Sequence, residues 1–352
     1  IPWVVSEFYF YRRVMQSIEY FTFGMDPFQL QKELGLTSSI HQITRIASIT
    51  NDFTSNPAQF HSKSKSDLDY SQFLSVLLIS LLGNKMDLSL WPVGGHDDTS
   101  QSKRDNETGF IARNNQKSHS SERDSDTSDP FEELLRNGER MLLDDRSMEL
   151  LEYLKESKHG FVERVDIVVD NAGLELFCDL IFADYLICSG FAAQVVLQLK
   201  AHPTFVSDAM EKDVVFTIEF LRKSEDGALK KIGDRWNGFV ESGKWRLNEE
   251  LFWVQPWAMW EMSEESRSLY EEIREKSDLV VVKGDANYRR LVGDREWDVT
   301  VELEDVLCYF PAPICALRVL KAEVGVGMKK EIVEKVRTDD AEWMVNGKWG
   351  VV

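Results

Sequence analysis

The spacing of hydrophobic positions along the chain changes near residue 131. Before that point, SEFYFYRRVMQSIEYF and DLDYSQFLSVLLISLLG carry apolar side chains three and four residues apart, which predicts amphipathic helices. Residues 48–67 between them are rich in Ser, Thr and Asn and predict a loop. Residues 1–92 are therefore predicted to form a helical amino-terminal domain. Because the chain begins at Ile1 and not at Met, we expect the sequence to be incomplete at its amino end.

Residues 93–130 form a polar segment that is rich in Ser, Asp and Asn and nearly free of large apolar side chains. Such a segment cannot bury enough apolar surface to offset the entropy lost on ordering. We therefore predict a disordered insert between two folded parts.

Residues 131–352 alternate between short β-branched runs and helical patterns. This alternation predicts βαβ units, and hence an α/β domain with a mostly parallel sheet between helices, in Rossmann-like layers. The predicted helices are DPFEELLRNGERMLLDD, RSMELLEYLKESK, GLELFCDLIFADYLICSG and ESRSLYEEIREKSD, and the predicted strands are RVDIVVD, AAQVVLQLK, LVVVK and PAPICALRVLK.

Four of these strands end in polar clusters: Asp170-Asn171, Lys200 followed by Asp208, KGDAN at 283–287, and RVLK at 318–321. The carboxyl ends of parallel strands lie at one edge of a sheet, where open α/β sheets bind ligands, so the clusters are expected to face one crevice. From the residues alone, Asp170-Asn171 has two interpretations. It is either a helix cap and turn or part of a site for a hard metal ion.

Composition narrows the function classes. Hydrophobic residues make up 43% of the chain and charged residues 29%, with a net charge of −19, which argues against nucleic-acid binding and against binding to anionic membranes. The longest apolar run, at 73–83, is too short to cross a bilayer. The four cysteines lack zinc-site spacing and predict free thiols in a reducing compartment, the cytoplasm or the nucleus.

Several enzyme classes lack their motifs here. GNKMDL at 83–88 is similar to a guanine-binding segment, but the chain contains no P-loop to accompany it. It also contains no G-x-G-x-x-G, no H-E-x-x-H and no G-x-S-x-G. What remains is oxygen-ligand chemistry: Asp170, Asn171 and Asp208 could bind Mg²⁺ or Mn²⁺, with coordination sites left open for a substrate phosphate.

The chain resembles the metal-dependent damage-control phosphatase family, in the eukaryotic sugar-phosphate phosphatase branch that has also been described as acidic-residue (protein-glutamate) methyltransferases. The segments that carry the resemblance are PWVVSEFYFYRRV at 2–14, LLGNKMDLSL at 81–90, VDNAGLELFCDLIFADYLI at 169–187, HPTFVSD at 202–208, FWVQPW at 252–257, KGDANYRRLVGDREW at 283–297, PAPICALRVLKAEVGVG at 311–327 and NGKWGV at 346–351.

The resemblance implies hydrolysis of phosphate monoesters of small metabolites, such as fructose 1-phosphate and related sugar phosphates. It implies a divalent ion (Mn²⁺, Ni²⁺, Co²⁺ or Mg²⁺) held by Asp170, Asn171 and Asp208, which would also be the catalytic residues. Lys200 could add a further cation. The implied substrate contacts are Asp285, Ala286, Asn287, Tyr288, Arg289 and Lys321.

Two alternative functions stay open beside the phosphatase. The first is a methyltransferase that uses S-adenosylmethionine, for which Glu175 would contact the cofactor. No glycine-rich cofactor loop supports it. The second is a catalytically silent interaction protein, although the chain retains every implied metal ligand.

The family's R-T-x-K signature appears here as Arg318-Val319-Leu320-Lys321, so a hydroxyl group is lost. Protein partners are not predicted.

Overall fold

The computed structural model describes residues 2–54, 70–83, 137–157 and 161–352. The predicted insert at 93–130 lies outside these residues. Within them, no helix is both long and apolar enough to span a bilayer. The helices are α1 Trp3–Ser17, α2 Tyr20–Phe23, α3 Gln29–Ser38, α4 Ile40–Thr54, α5 Tyr70–Leu82, α6 Ser147–Glu156, α7 Leu174–Cys188, α8 Glu211–Arg222, α9 Gly227–Glu241, α10 Met262–Glu265, α11 Arg267–Lys276, α12 Asp285–Leu291, α13 Leu303–Leu307 and α14 Lys330–Asp339.

The strands form one seven-stranded sheet in the order β1-β7-β6-β5-β2-β3-β4. The five strands from β6 to β4 in this order are mutually parallel, whereas β7 is antiparallel to β6 and β1 is parallel to β7. The prediction of a mostly parallel sheet flanked by helices is therefore confirmed. The strand bounds are β1 Leu142–Asp144, β2 Val162–Val168, β3 Ala192–Lys200, β4 Trp245–Glu250, β5 Leu279–Lys283, β6 Ile314–Val319 and β7 Gly350–Val351.

Alternating side chains of the central strands point to opposite faces of the sheet, and each face has its own core. Val281 of β5 packs in one core with side chains of α3 to α9, among them α7, which is buried along almost its whole length. Val280 and Val282 pack in the other core with α10 to α14. Because both faces are covered, β5 is the continuous apolar run that the sequence displays at 279–282. The result is a layer of helices on each side of the sheet.

Two predictions about the first half of the chain are wrong in part. The predicted loop at 48–67 is helical up to Thr54, because Ile43 and Ile46 of α4 are buried in the first core and packing outweighs the polar composition. The remainder of that loop lies outside the described residues. The predicted helix at 129–145 contains β1, since Leu142 and Asp144 pair with β7 from the far end of the chain. A short 3-10 helix, Gly138–Met141, precedes β1.

All four cysteines are free, and Cys178 and Cys188 are buried in α7, as the sequence predicted.

Candidate active site

The topology creates a crevice between β2 and β5. The chain leaves β2 for β3 on one side, and later returns to pair β5 with β2 on the other side. Ligands of open α/β sheets bind at such switch points, beside the carboxyl ends of the strands. Asp170 and Asn171 follow β2 at this place, and Gly284 and Asp285 follow β5.

Asp170 is buried in this crevice between the backbones of its neighbours. Its carbonyl oxygen accepts a hydrogen bond from Ala209 N–H at 3.0 Å. Its carboxylate lies against Gly284, where an added Cβ would come within 1.9 Å of Asp170 Oδ2. Burial raises the pKa of Asp170 above its ordinary value, and the charges of Lys200 and Lys321 partly offset that increase. The folded chain therefore holds a carboxyl group here that ionises less readily than one in water.

Asn171 connects the two segments that carry the acids. Its backbone forms an isolated antiparallel bridge with Asp208. Its Nδ2 donates to Asp170 Oδ2 at 3.1 Å and to Glu175 Oε2 at 2.8 Å, while its Oδ1 accepts from Ser207 Oγ at 2.7 Å. The amide therefore holds the carboxyl groups of Asp170 and Glu175 on one side and the loop that precedes Asp208 on the other.

Asp208 is the most deeply buried of the predicted metal ligands, with 2% of its surface exposed. Among the described residues, its Oδ2 has no hydrogen-bond partner. Burial, with a smaller contribution from the charge of Asp170, raises the pKa of Asp208 to about 7 in spite of the opposing charges of Lys200, Lys32 and Arg290. A buried oxygen without a partner is energetically unfavourable and points to a ligand.

Glu175, which the methyltransferase alternative assigns to the cofactor, lies in the first turn of α7 and is buried. Burial and, to a smaller extent, the neighbouring Asp170 raise the pKa of its carboxyl to about 8. Three buried carboxyl groups, those of Asp170, Glu175 and Asp208, thus meet in one crevice.

Two buried lysines approach these acids. Lys200 Nζ donates to Val169 O at 3.1 Å and to Asn287 Oδ1 at 3.5 Å, at the boundary between β2, β3 and α12. Lys283 forms an ion pair of 2.9 Å with Asp179 of α7. The Lys283 charge acts against the rise in pKa that burial causes for both Asp170 and Glu175.

The remaining predicted contacts lie along α12 and the end of β6. Asp285 Oδ1 accepts from Arg318 Nε at 2.7 Å and from Lys321 N–H at 3.2 Å, so Asp285 joins the ends of β5 and β6. The Lys321 side chain is exposed at the rim of the crevice. Ala286 is partly buried in the first turn of α12, and Asn287 Nδ2 donates to Lys283 O at 2.9 Å.

Tyr288 and Arg289 are engaged with protein groups. Tyr288 is buried beneath the Arg318 guanidinium, whose centre lies 4.3 Å from the ring centroid, and its hydroxyl accepts from Val326 N–H at 3.2 Å. Arg289 donates to Asp294 Oδ1 at 2.6 Å and lies over the Trp3 ring. Their predicted contact with substrate stays a prediction.

The four strand-end clusters therefore meet, as the sequence predicted. Sequence reasoning gave no role to the buried Lys283–Asp179 ion pair or to Ser207, although both lie within segments singled out there. A lysine at the end of β5 and an aspartate within α7, far apart in the chain, carry no local sequence signal that they form a buried pair. Only the contact between α7 and β5 reveals the pair.

Comparison with known proteins agrees with the resemblance seen in the sequence. The model of the damage-control phosphatase ARMT1-like domain matches residues 1–336. Damage-control phosphatase ARMT1 of Danio rerio is 34% identical over 360 residues, covering 100% of this chain and 72% of that protein. The Homo sapiens protein of the same name is 32% identical over 364 residues, covering 99% and 73%.

A solved structure is also similar, a DUF89 family protein from Pyrococcus horikoshii, with 19% identity, a TM-score of 0.35 and coverage of 82% of this chain and 73% of that one. The family assignment depends on the sequence matches alone. From the family model and these relatives, the chain belongs to the ARMT1-like damage-control phosphatase domain family.

Proposed function

We propose that this protein is a divalent-metal-dependent phosphatase that hydrolyses phosphate monoesters of small metabolites. The observation that carries the proposal is the buried crevice with three carboxyl groups, one of whose oxygens, Asp208 Oδ2, has no partner among the described residues. Relatives that bear the name damage-control phosphatase, and that match nearly the whole chain, support the same reaction class.

The residues of the crevice fit a hard divalent ion. Among the described residues, no group of three or more His, Cys, Asp and Glu side chains is arranged to hold a metal by itself. The proposed set is instead two carboxylates and an amide oxygen, from Asp170, Asp208 and Asn171, which are the donors that Mg²⁺ and Mn²⁺ prefer. Burial raises the pKa of both aspartates because their ionised forms are poorly solvated, and a bound cation would stabilise those ionised forms. When bound, the ion supplies Lewis-acid polarisation of the phosphoryl group and lowers the pKa of a water molecule.

The chain's own cations have separate tasks. Lys321 stands exposed at the rim, with its backbone fixed to Asp285, and is positioned to neutralise phosphoryl oxygens that arrive from solvent. Lys200 is buried and holds Val169 and Asn287, so it adds positive charge beneath the carboxylates. With a net charge of −19, the molecule needs such local cations to bind an anionic substrate. Fixed charges around a transferring phosphoryl group supply much of the rate acceleration.

The first test is phosphate release from fructose 1-phosphate by chelator-stripped protein, with Mn²⁺, Co²⁺, Ni²⁺ and Mg²⁺ added back one at a time. We expect at least one ion to restore turnover, and Asp208→Asn and Asp170→Ala to abolish both turnover and calorimetric Mn²⁺ binding. Glu331→Gln, which changes an exposed carboxylate on α14, is the matched control and should behave as wild type.

Folded protein that releases no phosphate with any ion, while binding S-adenosylmethionine in the calorimeter, would replace this proposal by the methyltransferase alternative. Metal-restored turnover in Asp208→Asn would instead contradict the ligand assignment.

A further inference from the structure

The loop between β3 and α8 has an unusual backbone immediately before Asp208. Phe205 and Val206 adopt φ values of 47° and 63°, so two successive non-glycine residues lie in the left-handed region. For a β-branched residue such as Val206 this conformation is a genuine outlier. Strained backbone of this kind persists only where surrounding contacts impose it, and it is concentrated at functional sites.

Aromatic side chains of α1 supply those contacts. The Phe205 ring stacks on Trp3 with a centroid distance of 5.8 Å and an interplanar angle of 17°. It also meets Phe8 edge-on at 4.9 Å and Tyr11 at 5.4 Å. Three rings from one helix therefore surround Phe205, and we call this set, Trp3, Phe8 and Tyr11, the aromatic clamp.

The clamp also reaches the other side of the crevice. The Arg289 guanidinium of α12 lies 3.8 Å from the Trp3 ring centroid, and Asp294 holds its Nε at 2.6 Å. Trp3 thus contacts both the loop that follows β3 and the helix that follows β5. These two elements flank Asp170, so α1 fixes their separation.

Hydrogen bonds transmit the position of Phe205 to the proposed metal ligands. Ser207 N–H donates to Phe205 O at 2.6 Å, which closes the strained turn. Ser207 Oγ donates to Asn171 Oδ1 at 2.7 Å, and Ser207 O accepts from Ala172 N–H at 2.7 Å. Asp208, the next residue, forms the backbone bridge with Asn171. A change in the turn therefore shifts Asn171 and Asp208 together.

We propose that Phe205 is a positioning residue for metal binding: held by the aromatic clamp, it maintains the strained turn that aligns Asn171 and Asp208. Phe205 acts on both ligands through Ser207. The inference rests on the proposed metal-dependent function and adds to it a requirement for α1.

The test compares Mn²⁺ binding, by electron paramagnetic resonance and calorimetry, in wild type and Phe205→Ala. Outer contacts that orient ligands change metal affinity by about 10- to 100-fold, so we expect Phe205→Ala to weaken Mn²⁺ binding by that factor. Turnover of fructose 1-phosphate should recover partly at saturating Mn²⁺, which a merely destabilised protein would not show. Phe205→Tyr, which keeps the ring, should bind like wild type.

Three further variants make the result decisive. Tyr9→Ala removes another α1 ring that is 66% exposed and is not a member of the clamp, and should leave Mn²⁺ affinity unchanged. Adding Val206→Gly to Phe205→Ala should restore part of the affinity, because glycine adopts a positive φ without strain. Phe205→Leu is measured in parallel, and it should weaken binding even if the alanine variant does not fold.

Equal Mn²⁺ affinity in wild type and in folded Phe205→Ala or Phe205→Leu would overturn the inference while leaving the phosphatase proposal intact. A wild-type protein that binds no Mn²⁺ and releases no phosphate would overturn both.

Discussion

At the scale of single residues, the site depends on a glycine as much as on its acids. Gly284 has a φ of +87°, and a Cβ there would lie 1.9 Å from Asp170 Oδ2 and 2.3 Å from its carboxyl carbon. The position therefore requires both a left-handed backbone and the absence of a side chain. Together, these two properties of Gly284 allow the Asp170 carboxylate to lie at the start of α12.

Gly284→Ala should therefore displace the Asp170 carboxylate. We expect loss of metal-restored phosphate release and a decrease of about 1–3 kcal/mol in the free energy of unfolding. The matched control is Gly243→Ala, because Gly243 has a similar φ of +74° with nothing within 4 Å of an added Cβ. It should show the backbone penalty of about 1 kcal/mol with full activity. Equal activity in the two variants, measured with equal metal, would contradict the steric argument.

At the scale of elements, α3 is joined to α8 by a buried ion pair next to the site. Lys32 Nζ lies 2.8 Å from Asp213 Oδ2 and 3.2 Å from Asp26 Oδ2, and the Lys32 side chain is only 2% exposed. Asp213 also accepts from Met210 N–H at 2.9 Å, which fixes the start of α8 just after Asp208. The amino-terminal helices thus stabilise the loop that carries a proposed metal ligand.

Lys32→Met should leave the buried carboxylates of Asp26 and Asp213 without the positive charge of Lys32. Removing one partner of a buried ion pair lowers the free energy of unfolding by about 3–5 kcal/mol. Urea denaturation of Lys32→Met is the measurement. Lys212→Met is the control within the same network, because Lys212 lies 2.8 Å from Asp26 Oδ2 but is 31% exposed. Its loss should cost about 1 kcal/mol. If the urea midpoints of Lys32→Met and Lys212→Met are equal, burial of the ion pair does not increase its contribution to stability.

The same scale explains what the sequence could predict. The strand β5 was predictable because burial on both faces leaves a continuous apolar run, and β2 and β3 were predictable because they are rich in β-branched residues. In contrast, β4 (WRLNEE) lies at the sheet edge and is mostly polar, so its pattern gave no signal. The two-residue β7 is defined only by its pairing with β1 and β6.

The site likewise has a part that local sequence patterns predicted and a part that they could not predict. Parallel strand ends predicted that Asp170, Asn171 and Asp208 would meet. The aromatic clamp joins Phe205 to a helix about 200 residues earlier in the chain, so no local pattern could predict it.

At the scale of the whole molecule, the fold concentrates buried acid in a chain that already carries a net charge of −19. Burial raises the pKa of Asp208 to about 7 and that of Glu175 to about 8, whereas Asp and Glu in an unfolded chain have pKa values of about 4. Between these values the folded state retains protons that the unfolded state has released. The stability that these protons contribute is present below pH about 4 and is lost as pH rises through about 7 to 8.

The free energy of unfolding of metal-free protein should therefore fall between pH 5 and pH 8, with each such group contributing at most about 1.4 kcal/mol per pH unit. General repulsion among the surface charges acts in the same direction, so Asp208→Asn separates the two causes. That variant lacks one carboxyl group of raised pKa, so its stability should decline less steeply up to pH 7, whereas the stability of Glu331→Gln should decline in parallel with that of wild type.

Saturating Mn²⁺ should stabilise wild type more at pH 8 than at pH 5, because ligands must lose their protons to bind metal. The free energies of unfolding are measured by chemical denaturation. If they decline in parallel with pH for wild type and Asp208→Asn, net charge causes the whole effect and the Asp208 carboxyl contributes nothing to it.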